Sequence, residues 1–257
     1  MWWPEIVVAV VIGTAVWRWA RRVDRGWAAV FGVGLAVVGA VLIGRRVSGA
    51  SAWLWWLIDA RVNPLVMAAA VPAMMGPLVR RLPAGRQRAV VMGAMVVMGV
   101  YYSVLPGVMP MAARAAVRGG RTVIDSNGVC LQTHDFTCGP ASMVTCLREL
   151  EIPAEEGEVA EVARCGPAVG TDPGVLADAV AARYGVGARS VTLRDVRAVR
   201  APAVMEISVG LGLGHYVAVM ACDGERMRIG DPEVGAVWMS MREMQEEWTG
   251  RVVEVWK

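Results

Sequence analysis

Lysine is nearly missing from this chain. Of 26 basic residues only Lys257 is a lysine, and the arginines sit among abundant Ala, Val and Gly, as a coding bias produces. They form no tract interleaved with stacking aromatics, and the net charge is only +3. Together these exclude a nucleic-acid role. Histidine occurs twice, at His134 and His215, so chemistry that needs an imidazole has two candidates. No Cys-x-x-Cys or paired Cys/His spacing occurs, which argues against a zinc site, and no cofactor is expected. There is no internal repeat and no low-complexity linker. Met1–Pro4 carries no basic side chain and further apolar runs follow, unlike a cleaved signal peptide.

What is present divides the chain. Up to roughly residue 120 acids are few and uncharged runs are long; beyond it the composition is that of a soluble domain. Gly26–Gly44 holds 19 uncharged residues, Val62–Val79 holds 18 and Ala89–Ala113 holds 25. Each approaches or exceeds the roughly 20 residues that cross a hydrocarbon core. Val62–Val79 contains Pro64, Pro72 and Pro77 and is expected as a kinked span. Ile6–Trp17 has only 12 uncharged residues and nears spanning length if Met1–Pro4 joins it. Trp2, Trp3 and Trp17 stand at interfacial positions. Ser51–Ile58, with Trp53, Trp55 and Trp56, reads either as an interfacial stretch or as an early start to the third helix. The expectation is an all-α transmembrane bundle of three to four helices over 1–114, a connector at 115–127 and a soluble domain over 128–257. The lipid bilayer is thus a partner, and the protein a multi-pass one of the bacterial inner membrane. Eight arginines in the loops around Arg18–Arg25 and Arg80–Arg88 face six in the alternate loops, which puts the soluble domain outside the cytoplasm.

The soluble part reads as helices followed by strands. Gly139–Leu150, Glu155–Arg164 and Pro173–Tyr184 have helical patterns, the last with Pro in its first turn and Gly185 as a stop. Val186–Leu193, Ala203–Val209, His215–Ala221, Arg226–Ile229, Ala236–Met239 and Val252–Trp256 read as strands, with Asp223-Gly224 as a hairpin turn. Helices followed by strands indicate an α+β domain.

Cys138 opens the first of these helices, where free amides and the helix dipole favour a thiolate. His215 is the candidate base; His134, in the loop four residues before Cys138, is the less suitable one. Asp231 closes the strand after that of His215, so the hairpin returns it towards the imidazole, where it would hold the tautomer. Charge developing on a carbonyl oxygen under attack needs donors. The Cys138 amide and the Gln132 side chain can donate.

The run Gln132-Thr-His-Asp-Phe-Thr-Cys138-Gly-Pro-Ala, with Gly214-His215-Tyr-Val and Gly230-Asp231-Pro, resembles the double-glycine leader peptidases, the papain-like domains that mature bacteriocin precursors. The resemblance covers roughly Gly128–Gly235 and none of the apolar region. It implies a papain-like α+β fold and a cysteine peptidase that cleaves peptides or leader sequences after small residues, Gly-Gly above all. It assigns the nucleophile to Cys138, the base to His215, its orienting partner to Asp231 and an oxyanion donor to Gln132. Glycine-rich Gly210–Gly214 would let a substrate backbone lie close. Peptidase domains of this kind are fused to cytoplasmic faces of exporters, which opposes the arginine count. No nucleotide-binding segment follows here, so a separate ABC exporter is the expected partner for export. Thr137 stands where members often have an acidic residue, which bears on leader preference. Alternatives are another amide acyl hydrolase or transferase, and an idle leader-binding module; retention of all four residues argues against the last. Cys130, Cys146, Cys165 and Cys222 either form two disulfides, by any of three pairings, or act as small buried hydrophobes.

Overall fold

A computed structural model describes residues 3–44, 62–83, 85–167, 170–209 and 214–257. The Trp-rich stretch Ser51–Ile58, Trp2, and most of the glycine run before His215 lie outside the described residues. The chain forms two compact units, divided between Val108 and Met109.

In the first unit the uncharged runs are helices: α1 (Trp3–Ala20), α2 (Trp27–Gly44), α3 (Asn63–Arg81) and α4 (Gly85–Gly99). A π-helical turn, Val100–Val104, carries α4 into α5 (Leu105–Gly119). Helix α3 lies against both α1 and α2, and glycines make the approach close. A methyl on Gly34 would come within 2.8 Å of the Met74 amide nitrogen, and one on Gly76 within 2.8 Å of the Ala20 methyl. Pro72 and Pro77 are buried within α3. The faces turned away from these contacts are apolar too: Val7, Val11, Val33, Val90 and Val97 are all exposed. By length and composition one described helical stretch, Gly85–Val104, suffices to cross a membrane. Ile6–Ala20 and Trp27–Leu42 are apolar but shorter. At one end of the unit Arg80 pairs with Asp24 at 3.1 Å, and Arg81 lies over the Trp27 ring. The α1–α2 loop and the end of α3 therefore share a side.

The second unit begins with a two-stranded ribbon, β1 (Val123–Ile124) and β2 (Cys130–Leu131). Helices α6 (Cys138–Glu149), α7 (Glu156–Val162) and α8 (Pro173–Tyr184) follow, then β3 (Gly187–Thr192), β4 (Ala203–Ser208), β5 (Gly214–Cys222), β6 (Arg226–Asp231), β7 (Gly235–Ser240), α9 (Met241–Glu247) and β8 (Trp248–Trp256). The last six strands form one antiparallel sheet in the order β3-β8-β4-β5-β6-β7. The pleat sends alternate residues to opposite faces. Val204, Tyr216, Ala218 and Val253 join a core with Met143, Leu147, Leu176 and Val180 of α6 and α8. Met205, Val217, Ile229 and Val252 pack with Met241 and Met244 of α9 on the other face.

Most strand and helix expectations fall within two residues of the observed bounds. The exceptions are several. The β1–β2 ribbon and helix α9 were not expected, and β8 begins at Trp248 rather than Val252. The apolar runs Ile6–Trp17 and Ala89–Ala113 lie within longer helical stretches, Trp3–Ala20 and Gly85–Gly119. Residues 115–119, read as connector, are the last turns of α5. All five cysteines are free thiols, so no disulfide pairing is formed. Cys130, Cys146 and Cys165 are buried and behave as small core residues, whereas Cys222 is exposed.

Candidate active site

Three local structures build the site. The first is the start of α6. Thr137 precedes the helix but does not cap it. Its hydroxyl turns back into the preceding loop, donating to the His134 carbonyl at 2.8 Å and accepting from the His134 amide at 3.1 Å. Amides in a first helical turn have no intrahelical acceptor, and with no side-chain cap they remain available to an anion. Cys138 is partly exposed at this end. Gly139 is required behind it, because a Cβ there would lie 2.9 Å from the Thr171 side chain. Thr171 in turn donates to Cys165 Sγ at 3.1 Å.

The second is the β5–β6 hairpin. Asp223 accepts from the amides of Glu225 and Arg226 and Gly224 has φ +92°, which closes the turn that Asp-Gly signals. The ladder runs to Ala218↔Gly230, and at its open end His215 Nε2 meets Asp231 Oδ1 at 3.0 Å. With Nε2 so engaged, Nδ1 is the ring nitrogen left for the thiol, and Cys138 lies near enough to His215 to help raise its pKa. Burial opposes charge on this imidazole, but the bond to Asp231 and the nearby Cys138 prevail and hold its pKa up at about 10. Burial likewise disfavours the Asp231 carboxylate, yet the bonds from His215 and from the Glu233 amide hold it below the usual range. Serine joins the two structures: Ser142 Oγ, one turn after Cys138, donates to the Tyr216 carbonyl at 2.9 Å.

The third is the tight β6–β7 loop. Asp231 pairs with Gly235, leaving Pro232–Val234 as a three-residue hairpin loop closed by Gly235 at φ +92°. The Gln132 amide donates to the Pro232 carbonyl at 2.9 Å. The Gln132 side chain donates through Nε2 to Glu233 Oε1 at 3.2 Å. Thr145 steadies the approach to Gln132 by accepting from the Cys130 amide, and Glu156, fully buried, accepts from the Thr133 amide at 2.9 Å.

Cys138, His215, Asp231 and Gln132 thus converge through a short chain of contacts. His134 stands apart from that chain, its Nδ1 bonded to Thr133 Oγ1 and its ring against Phe136. Burial pushes the thiols of Cys130 and Cys165 up to about 12 and that of Cys146 higher still, so these stay protonated at neutral pH. Sequence reasoning missed Ser142, Glu156 and Glu233. The first two are polar residues in helices with no local signature; Glu233 follows the Asp-Pro pair that marks the turn.

Residues 126–257 match the Peptidase C39 family, slightly more than half of the chain. The chain belongs to that family of cysteine peptidases, and its second unit has the papain-like fold. It is 26% identical over 134 residues to an uncharacterized protein of Methanothermobacter thermautotrophicus, covering 52% of this chain and 92% of that protein. An uncharacterized protein of Methanothermobacter marburgensis is 28% identical over 124 residues, 48% of this chain and 84% of that one. Among solved structures, the peptidase domain of Streptococcus ComA, a bi-functional ABC transporter involved in a quorum sensing pathway, is similar at 24% identity and TM-score 0.45, covering 50% of this chain and 97% of that one. A double glycine motif protease from an AMS/PCAT transporter, in complex with its leader peptide, is 21% identical with TM-score 0.44, covering 53% and 93%.

Proposed function

We infer that this chain is a membrane-anchored cysteine peptidase that cleaves peptides after small residues of the Gly-Gly type, through an acyl-enzyme on Cys138. The observation that carries this reading is His215, bonded to Asp231 at 3.0 Å and near enough to Cys138 for the thiol to help raise its pKa. That arrangement is what an imidazole needs in order to take and return the thiol proton.

Cys138 Sγ, as thiolate, attacks the scissile carbonyl carbon and a C–S bond forms. The carbonyl oxygen becomes an oxyanion, met by the Cys138 amide and Gln132 Nε2. Collapse breaks the C–N bond, and the leaving amine takes a proton from His215 Nδ1. Water then attacks the thioester, giving its proton to His215, and collapse releases the peptide acid and the Cys138 thiolate. Asp231 stays ionised throughout and holds the ring.

Membrane anchoring is supported by the first unit's surface. Apolar residues face outward on α1, α2 and α4, while glycines lie where α1 and α2 meet α3. Membrane helices pack through small residues in this way, and so large an exposed apolar surface calls for lipid or a partner.

The test uses the whole 257-residue chain in detergent with a fluorogenic peptide ending in Gly-Gly before an aminomethylcoumarin amide. Cleavage is expected, with a Cys138 thioester trapped by rapid acid quench. A Cys138→Ala chain that releases coumarin at the wild-type rate would sink the assignment.

A further inference from the structure

Gln132 presents two ends to its surroundings, and only one of them can serve an oxyanion. Nε2 donates; Oε1 can only accept and would repel the developing charge. Nothing in the covalent structure of an amide decides which end faces which way. In this site Oε1 is buried and has no partner among the described residues, so it does not hold the amide in place. Nε2, in contrast, donates to Glu233 Oε1 at 3.2 Å. A carboxylate has no proton to give. It therefore accepts Nε2 and rejects the flipped amide, in which two oxygens would face each other.

Glu233 is itself exposed, but its backbone is not free to wander. It lies in the three-residue loop that Asp231 and Gly235 close. Its amide donates to Asp231 Oδ1 at 2.8 Å, the same oxygen that receives His215 Nε2. The Gln132 backbone is tied to the same loop through the Pro232 carbonyl. One tight turn thus touches the imidazole through Asp231 and the oxyanion donor through Glu233. The NH2 group has two hydrogens; Glu233 uses one and leaves the other for the substrate oxygen.

The geometry points to Glu233 as a positioning residue that sets the orientation of the Gln132 amide for oxyanion donation. This rests on the peptidase reading above, in which Gln132 is the oxyanion donor. Glu233 contacts Gln132 with its side chain and Asp231 with its amide. It acts through Gln132, and the Asp231–Pro232–Glu233 turn keeps donor and base in register.

Two reagents separate this role from general support of the fold. Iodoacetamide alkylates a thiolate by displacing iodide at a saturated carbon: a C–S bond forms, the C–I bond breaks, and no oxyanion arises. p-Nitrophenyl acetate acylates the same thiolate through a tetrahedral oxyanion: a C–S bond forms, the C–O bond breaks and p-nitrophenolate leaves. Both rates are measured on the full chain in detergent, with modification mapped to Cys138 by peptide mass spectrometry. The ratio of acylation to alkylation is the readout. Gln132→Ala should lower that ratio about tenfold, less than the full loss of an oxyanion donor because the ester is activated. Glu233→Ala should lower it about three- to tenfold, with its alkylation rate within about twofold of wild type. Glu233→Gln, which keeps an acceptor but tolerates either amide orientation, should fall between.

If Glu233→Ala leaves the ratio at the wild-type value while Gln132→Ala lowers it, the inference is overturned and the peptidase reading stands. It is also overturned if Glu233→Ala slows both reactions equally, since that is loosening of the turn. An unchanged ratio in Gln132→Ala removes Gln132 as donor, and the role of Glu233 falls with it. Failure of the wild-type chain to cut the Gly-Gly peptide, with both ratios falling as expected, sinks the substrate reading and leaves this one intact.

Discussion

Ser142 on the nucleophile's helix donates to the carbonyl of Tyr216, the neighbour of His215, at 2.9 Å. Both residues are buried. This bond spans helix and sheet one turn from Cys138 and fixes how far the thiol stands from the imidazole. Ser142→Ala leaves the Tyr216 carbonyl without that donor, which costs about 1–3 kcal/mol. Denaturant unfolding should show the loss, and alkylation of Cys138 near pH 6 should slow because the thiol–imidazole pair loosens.

Asp231→Asn tests the electrostatics. Asn keeps an acceptor for His215 Nε2–H but removes the charge. His215 is held at about 10 against an ordinary 6.5, so the stability this gives is complete below 6.5 and is lost as pH rises through about 10. Asp231 is held below 3.8, so its contribution exists above that value and is lost as pH falls through the depressed pKa. The pair therefore stabilises the fold between those limits. In Asp231→Asn the basic limb of kcat/KM should move down by about one unit or more, as a pH–rate profile would register. An unmoved basic limb would show that Asp231 does not charge the ring.

Gly139→Ala should destabilise the chain. The new Cβ would lie 2.9 Å from Thr171, inside any normal contact, and a forced shift in a packed site costs about 1–3 kcal/mol. Thr171→Ala in the same chain removes the obstacle and should recover most of the lost melting temperature. An additive double variant would contradict the steric account.

Cys222 is exposed, unlike Cys130, Cys146 and Cys165. If the peptidase unit lies outside the cytoplasm, as the loop arginines predict, a membrane-impermeant maleimide should label Cys222 of a Cys138→Ala chain in intact spheroplasts, and adding Cys222→Ser should remove that label. Labelling only after lysis would place the unit inside.

Much of this architecture was legible because local signals agreed with the fold. Asp223-Gly224 demands a tight turn and received one, and the scarcity of histidine narrowed the choice of base. Helix α6 could be read from its apolar spacing. Helix α9 was legible as well but was not read: Ser240 and Glu243 form a capping box, and Ser-x-x-Glu is its sequence mark. Strand β8 was cut short because Thr249 and Arg251 look like loop residues. They are polar because they face Glu206 on β4, with Thr249 Oγ1 bonded to it at 2.8 Å. The contacts of Ser142, Glu156 and Glu233 join residues far apart in sequence, and no periodicity or spacing announces them. Orientation of an amide such as that of Gln132 is a tertiary fact of the same kind.

His215 and Asp231 ride on one hairpin, sixteen residues apart, whereas Cys138 lies far upstream. Hairpins of this size close within microseconds, but only after both strands exist. During synthesis the thiol leaves the ribosome well before the imidazole and the carboxylate that would activate it. A nascent or truncated chain ending before β6 therefore carries an ordinary cysteine at this position. On the proposed assignment, completion of that hairpin is what arms the enzyme, and the order of residues along the chain acts as a safety catch during translation.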